Sequence, residues 1–88
     1  MNRHTRITTL LQNHFQPKHM ELKDDSHKHA GHAGASPSGE THYSLLIESE
    51  MFRNLSRVAA HQAIYKQLQT EFDTGLHALA ITAHAPKD

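Results

Sequence analysis

The absence of cysteine limits how this chain of 88 residues can fold. No disulfide can support the structure, and no thiolate is available for catalysis or metal binding. A domain of this size buries only about 60–65% of the surface that its unfolded chain exposes, so a modest apolar core must be sufficient. We therefore expect one domain over residues 1–88, without the deep cleft that most enzymes need.

The charge balance excludes strongly electrostatic functions. Nine basic and nine acidic residues give a formal net charge of +0, whereas nucleic-acid binders normally carry a basic excess. No segment approaches the roughly 18 apolar residues of a membrane span, and no apolar signal-peptide core follows the basic residues 1–6. We expect a cytoplasmic protein with no membrane partner and no small-molecule substrate.

Hydrophobic periodicity predicts the order helix, strand, strand, helix, strand. The predicted helices span residues 2–16 and 55–72, the strands span 19–25, 42–49 and 77–83, and a short helical turn lies near 51–55. The predicted apolar faces are Ile7, Leu10, Leu11, His14 and Phe15 on the first helix and Leu55, Val58, His61, Tyr65, Leu68 and Phe72 on the second. Residues 84–88 are expected to form a frayed tail.

The connections predict a two-layer α+β domain of order α-β-β-α(α)-β. A strand–helix–strand crossover favours parallel pairing of the last two strands, and the first two strands are expected to be antiparallel. Both helical segments then cover one face of a three-stranded mixed sheet.

Residues 26–40 form a long segment rich in histidine and glycine with almost nothing to bury. It is predicted to be a flexible loop, and loops of this length are often functional. His27, His29 and His32 lie within it, and their spacing can chelate Zn, Ni or Cu. Without fixed neighbours that orient the rings, we interpret His27 and His29 as a minor metal site.

Several short motifs along the chain resemble those of the BolA-like family, in order and with similar spacing. They are Phe15-Gln16-Pro17, Asp24-Asp25-Ser26-His27, Gly31-His32-Ala33-Gly34, Gly39-Glu40-Thr41-His42-Tyr43, the segment 52–56, His61, Tyr65 and Gly75-Leu76-His77-Ala78-Leu79. The resemblance implies a fold like a type II KH domain and a protein that is not an enzyme. It also implies a partner of monothiol glutaredoxins in iron–sulfur trafficking and iron homeostasis.

His77 and His32 are the candidate cluster ligands. Iron in iron–sulfur clusters accepts imidazole in place of thiolate, and a chain without cysteine can offer only such ligands. The resemblance implies that His77 and the loop residue His32 bind a 2Fe–2S cluster shared with the glutaredoxin, which supplies its cysteine and a bound glutathione. No cofactor is expected on the chain alone. From the residues by themselves, His77 also fits a strand-edge histidine and His32 a solvated loop residue.

Other polar residues are interpreted structurally. His61 is expected to be packed and hydrogen-bonded within the fold, and His42 to stabilise the turn before the second strand. Asp24 and Asp25 are read as turn and cap formers, because no second group at suitable spacing makes a hydrolase site.

A DNA-binding regulator of cell-shape or stress genes is the alternative function. Arg53, Arg57 and Lys66 are its candidate phosphate contacts, although they are few. Where the family often has glycine this chain has Asn54, and where it has Arg-His-Arg this chain has Ala60-His61-Gln62. Two positive charges are therefore missing from the helix expected to face DNA. Pairing of exposed sheet edges in a homodimer is a third possibility.

Overall fold

The fold has the predicted order of elements. The computed structural model describes residues 2–26 and 41–87. Its elements are α1 (Arg3–Phe15), β1 (His19–Asp24), β2 (His42–Glu48), a 3-10 helix (Glu50–Phe52), α2 (Arg57–Gln67), α3 (Gln69–Asp73) and β3 (Ala78–His84). The segment that contains His27, His29 and His32 lies outside the described residues.

The sheet has the strand order β1-β2-β3. The β1 and β2 strands are antiparallel, with Leu22 opposite Leu45, and β2 and β3 are parallel, with His42 opposite Ala78. The predicted mixed pairing is therefore confirmed. Because β2 and β3 are parallel, their amino-terminal ends lie side by side.

The core lies between one face of the sheet and the helices. Alternate residues of the central strand, Tyr43, Leu45 and Ile47, are buried on this face, as the period of two along a strand requires. They pack with buried residues of α1 and α2: Ile7, Leu11, Phe15, Ala60 and Ile64. The domain is a two-layer α+β structure with its helices on one face of the sheet, as predicted.

The ends of α1 follow from local chemistry. Asn2 caps the helix, since its side-chain oxygen accepts a hydrogen bond from the Thr5 N–H at 2.8 Å. The helix ends at Gln16, which has a left-handed φ of 47° just before Pro17. The predicted apolar face was too wide, because Leu10 and His14 are exposed and only the narrower stripe of Ile7, Leu11 and Phe15 reaches the sheet.

The second helical segment differs from the prediction in two ways. It divides at Leu68, whose φ of −104° and ψ of 13° interrupt α2 before α3 begins. The buried side carries Ala60 and Ile64, whereas Val58 on the predicted face is 64% exposed. The predicted face is right at its end, because Leu68 is buried and Phe72 packs against the core. Nearer the start of the helix, docking against the sheet buries Ala60 and Ile64 in place of the residues one position away, His61 and Tyr65. The predicted cap at Ser56 is confirmed, because its hydroxyl accepts from the Ala59 N–H at 3.0 Å.

The carboxyl-terminal tail is held at one point. Pro86 is buried, and its carbonyl accepts a hydrogen bond from the Arg53 guanidinium at 3.0 Å. The prediction of fraying from residue 84 is therefore wrong at Pro86, because a tertiary contact replaces the solvent there. In the two described ranges, no helix is both long and apolar enough for a bilayer crossing.

Candidate functional site

His77 lies at the start of β3 on a fixed backbone with an exposed side chain. Gly75, at a φ of 132° that side chains other than glycine rarely allow, turns the chain out of α3. Leu76 then enters the core, and the His77 N–H donates to the Thr41 carbonyl at 2.8 Å. The ring is thus presented to solvent from a well-defined position.

His42 is an aromatic neighbour of His77. The centroids of the two imidazole rings lie 5.1 Å apart, with an interplanar angle of 49°. His42 is buried, unlike His77, and its Nδ1 lies 2.9 Å from the Thr41 hydroxyl oxygen. From the sequence, His42 is expected only to stabilise the turn before β2. The parallel pairing of β2 and β3 brings the starts of the two strands together. This pairing was the signal that could have placed His42 beside His77.

A hydrogen-bond network joins the two described ranges of the chain next to His77. The Ser26 hydroxyl oxygen accepts from the Thr41 N–H at 2.8 Å and from the His42 N–H at 3.0 Å. Asp24 in turn accepts from the Ser26 N–H at 2.8 Å, which confirms its prediction as a turn former. Of the two residues that bound the segment 27–40, Thr41 contacts the backbone of His77 directly, and Ser26 is linked to it through Thr41.

Asp25 is likewise held by hydrogen bonds to residues of β2. Its N–H donates to the His42 carbonyl at 2.7 Å, and its carboxylate accepts a hydrogen bond from the Ser44 hydroxyl. The carboxylate thus helps to join the end of β1 to β2, as its assignment to a turn anticipated.

The remaining described histidines near the sheet have separate local partners. His4 contacts the Leu22 carbonyl at 2.9 Å, His19 contacts Glu21 at 2.7 Å, and His84 lies 3.7 Å from the Glu48 carboxylate. Among the described residues, no three histidine, aspartate or glutamate side chains come close enough to hold a metal ion.

His61 occupies a different environment from the predicted one. It lies half-exposed in a cleft between α2 and β3, and its ring has no hydrogen bond to another described residue. The prediction of a hydrogen-bonded packed histidine is wrong, because α2 is rotated so that Ala60 and Ile64 take the core positions.

The three cations suggested for nucleic-acid binding are not equivalent. Arg53 is bound by the Glu50 carboxylate at 2.7 Å and by the Pro86 carbonyl. The hydrogen bond and charge of Arg53 hold the pKa of the Glu50 carboxyl below 4.5. Arg57 and Lys66, in contrast, are exposed at the first and last turns of α2. The structure therefore leaves two of the three candidates available to a polyanion.

Comparison with known proteins identifies several relatives over nearly the whole chain. SufE-like protein 1 of Arabidopsis thaliana is 42% identical over 91 residues, covering 99% of this chain and 24% of that protein. Protein BOLA1 of the same plant is 38% identical, covering 99% of this chain and 56% of the relative. The chain therefore spans about a quarter and just over half of the lengths of these two relatives.

A bacterial relative and solved structures extend the comparison. The DNA-binding transcriptional regulator BolA of Haemophilus influenzae is 33% identical, covering 93% of this chain and 76% of that protein. The solved BolA domain of SufE1 from Arabidopsis thaliana matches with a TM-score of 0.86 at 40% identity, covering 98% of this chain and 95% of that one. A family model described as BolA-like protein matches residues 2–88. With a family match over nearly its full length and a shared fold, the chain belongs to the BolA-like protein family.

Proposed function

We propose that this protein is a non-enzymatic partner of a monothiol glutaredoxin in the assembly or trafficking of iron–sulfur clusters. In this role it contributes imidazole ligands to a 2Fe–2S cluster shared between the two proteins. The observation that carries the proposal is the exposed ring of His77, fixed at the start of β3 in a BolA-like chain that has no cysteine.

The donor chemistry at His77 fits a shared cluster. Imidazole is an established ligand of cluster iron. The hydrogen bond from the His77 N–H to the Thr41 carbonyl fixes the backbone position from which the ring projects. Four ligands are needed for a 2Fe–2S centre, so thiolates from the partner must complete the set. A bound cluster would supply iron and sulfide for delivery, whereas this chain's contribution is to hold and orient one side of it.

His32 is the second proposed ligand, and chain length allows it to reach the same place. Only six peptide units separate it from Ser26, which lies in the network beside His77. Six extended residues span at most about 20 Å. A ligand carried on the segment between Ser26 and Thr41 is therefore within reach of the His77 ring.

Reconstitution with a purified monothiol glutaredoxin, iron, sulfide and glutathione tests the proposal. We expect a coloured heterodimer with the visible absorption of a 2Fe–2S cluster, and we expect His77→Ala to lose most of that absorption. His84→Ala is the matched control, because His84 is an exposed histidine at the other end of the same strand. It should retain the wild-type spectrum.

The ligand assignment would be wrong if the double variant His32→Ala/His77→Ala kept the wild-type cluster spectrum. Loss of absorption in His84→Ala to the same extent as in His77→Ala would also contradict it. The fold of each variant can be checked by circular dichroism. His77 is linked to the domain through its backbone N–H, which alanine retains.

DNA binding is the second candidate function, favoured by the bacterial relative named as a DNA-binding regulator. The exposed cations Arg57 and Lys66 are its candidate contacts, with Arg53 already bound to Glu50. Two phosphate contacts predict that log K falls with log salt at a slope of only about −2. A salt titration with a promoter fragment measures this slope. A much steeper slope with sequence preference would favour the regulator over the cluster partner.

A further inference from the structure

A cleft between α2 and β3 lies at the opposite end of the sheet from His77. It is lined by Arg57 and His61 of the helix and by residues 81–84 of the strand. With about 3.3 Å of rise per strand residue, its near end lies roughly 13 Å along the strand from His77. The cleft is therefore separate from the proposed cluster site.

The strand side of this cleft is a free sheet edge. In a parallel pair, alternate residues direct both their N–H and C=O toward the partner strand. Ala78 donates to Thr41, and His84 accepts from Ser49, so the even-numbered residues of β3 face β2. The backbone groups of Ile81 and Ala83 consequently face away from the sheet.

The free edge is blocked at only one described point. The Tyr65 hydroxyl donates to the Leu79 carbonyl at 3.3 Å and covers the amino-terminal half of β3. No described strand lies beyond the Ile81–Ala83 portion, because β3 is the last strand of the sheet. Two donors and two acceptors there are available to another chain.

The helix side of the cleft is positively charged. Arg57 is exposed and forms no ion pair with another described residue, and no acidic residue lies in the first turn of α2 to offset the helix dipole. His61 lies one turn further on. Among the described residues no carboxylate lines the cleft, and Glu48 is linked to it through its 3.7 Å contact with His84.

The spacing of Arg57 and His61 matches that of side chains on a strand. They are four residues apart on a helix, which corresponds to about 6 Å of axial rise. Side chains two residues apart on one face of a strand are separated by about 6.6 Å. Carboxylates at alternate positions of an extended chain can therefore meet both the Arg57 guanidinium and the His61 imidazole, which can donate a hydrogen bond.

The geometry points to a docking site for an extended acidic segment of a partner protein, which adds to β3 as a fourth strand. Its backbone pairs with Ile81 and Ala83, and its alternate carboxylates lie against Arg57 and His61. A peptide fits better than single-stranded nucleic acid, because its backbone alternates donors and acceptors at the spacing of the strand edge, whereas a phosphate backbone offers only acceptors. The mode is β-strand addition, with charge selecting the partner.

NMR titration of ¹⁵N-labelled protein tests this inference. The probe is a blocked hexapeptide in which glutamate alternates with threonine. We expect saturable shifts centred on the amides of Ile81 and Ala83, and no binding of the peptide with lysine in place of glutamate. Arg57→Glu should weaken binding by at least about tenfold. Lys66→Glu, the same charge reversal at the other end of α2, should bind like wild type.

Three results would overturn the inference of a peptide-docking site at β3. They are no saturable shift at millimolar peptide, shifts centred away from β3, or equal binding by Arg57→Glu and Lys66→Glu. Tighter binding of hexathymidylate than of the peptide in the same cleft would assign the site to nucleic acid instead. Ala83→Pro gives an independent check, because it removes one edge N–H and should weaken peptide binding while the cluster assay with glutaredoxin is unchanged.

Discussion

The imidazole of His42 lies beside that of His77, with the ring centroids 5.1 Å apart. One ring is buried and the other is exposed, so the pair forms a boundary between the domain interior and the proposed cluster site. The buried ring contacts the Thr41 hydroxyl, and Thr41 also accepts the backbone N–H of His77. Thr41 thus links the two histidines through both its side chain and its backbone.

The tautomer of His42 follows from this network. The Ser26 oxygen already accepts two N–H groups, which use both of its lone pairs. No acceptor site therefore remains on it for the Thr41 hydroxyl 3.3 Å away, and the Thr41 hydroxyl donates instead to His42 Nδ1 at 2.9 Å. We expect neutral His42 to carry its proton on Nε2, as long-range ¹H–¹⁵N spectra can show.

Replacement of Thr41 gives the matching stability test. Thr41→Val keeps the shape but removes the hydroxyl, so two buried polar groups lose a partner. Urea unfolding should show a loss of about 1–2 kcal/mol. A proton on His42 Nδ1, or an unchanged unfolding midpoint, would show that the hydroxyl does not organise this network.

The buried face of α2 can be verified by paired truncations. Ile64 is fully buried, and Ile64→Ala should lower the free energy of unfolding by about 2–4 kcal/mol. Val58 is 64% exposed, so Val58→Ala should change it by no more than about 0.5 kcal/mol. Urea denaturation of both variants measures the difference. Equal losses of unfolding free energy in the two variants would mean that Val58 lies on the buried face, as the periodicity predicted.

Glu71 is a buried carboxylate shared by two arginines of α1. Arg6 donates to it at 2.9 and 3.1 Å, and the Arg3 Nε lies 3.5 Å from the same group. Glu71→Ala removes the carboxylate that faces the buried guanidinium of Arg3, and we expect a loss of about 3–5 kcal/mol in urea unfolding.

Glu21→Ala is the control for this change, because Glu21 is an exposed glutamate whose carboxylate is paired, among the described residues, with the exposed ring of His19. It should leave stability within about 0.5 kcal/mol of wild type. A small loss for Glu71→Ala, comparable to that of Glu21→Ala, would mean that α1 and α3 are not joined by this carboxylate.

The Glu50–Arg53 pair predicts a defined pH dependence. The hydrogen bond from Arg53 is the main cause that keeps the pKa of Glu50 below 4.5; desolvation opposes it, and the charges of Arg53 and Lys18 lower the pKa further. A lowered pKa in the folded state means that the pair's contribution to stability is present above pH 4.5 and is lost as pH falls through the folded value. Carboxyl ¹³C titration should give a midpoint below 4.5, and Arg53→Ala should raise it. An unchanged midpoint in Arg53→Ala would rule out this cause.

Much of the architecture was accessible from the sequence because it depends on local patterns. Alternation in residues 42–48 identified the buried face of the central strand, and the crossover between β2 and β3 indicated their parallel pairing. The family motifs singled out His77, whose exposure at the start of β3 is compatible with a ligand. Its role as a ligand, and that of His32, stay predictions.

The predictions that were wrong concern segments in which local sequence patterns allow two nearly equivalent arrangements. The segment 55–72 carries two overlapping apolar stripes, and hydrophobicity alone does not say which one meets the sheet. The break at Leu68 and the anchoring of Pro86 by Arg53 likewise depend on contacts between segments distant in sequence.

The amino-acid sequence by itself determined the element order and the strand faces, since these follow from side-chain periodicity. It also determined that this chain has no cysteine, so any thiolate ligand of the proposed cluster has to come from a partner. Only the tertiary structure placed His42 against His77 and left the Ile81–Ala83 edge open beside Arg57. The physical reason is that strand register and helix docking are set by packing across the whole core, whereas periodicity reports only which face of each element is apolar.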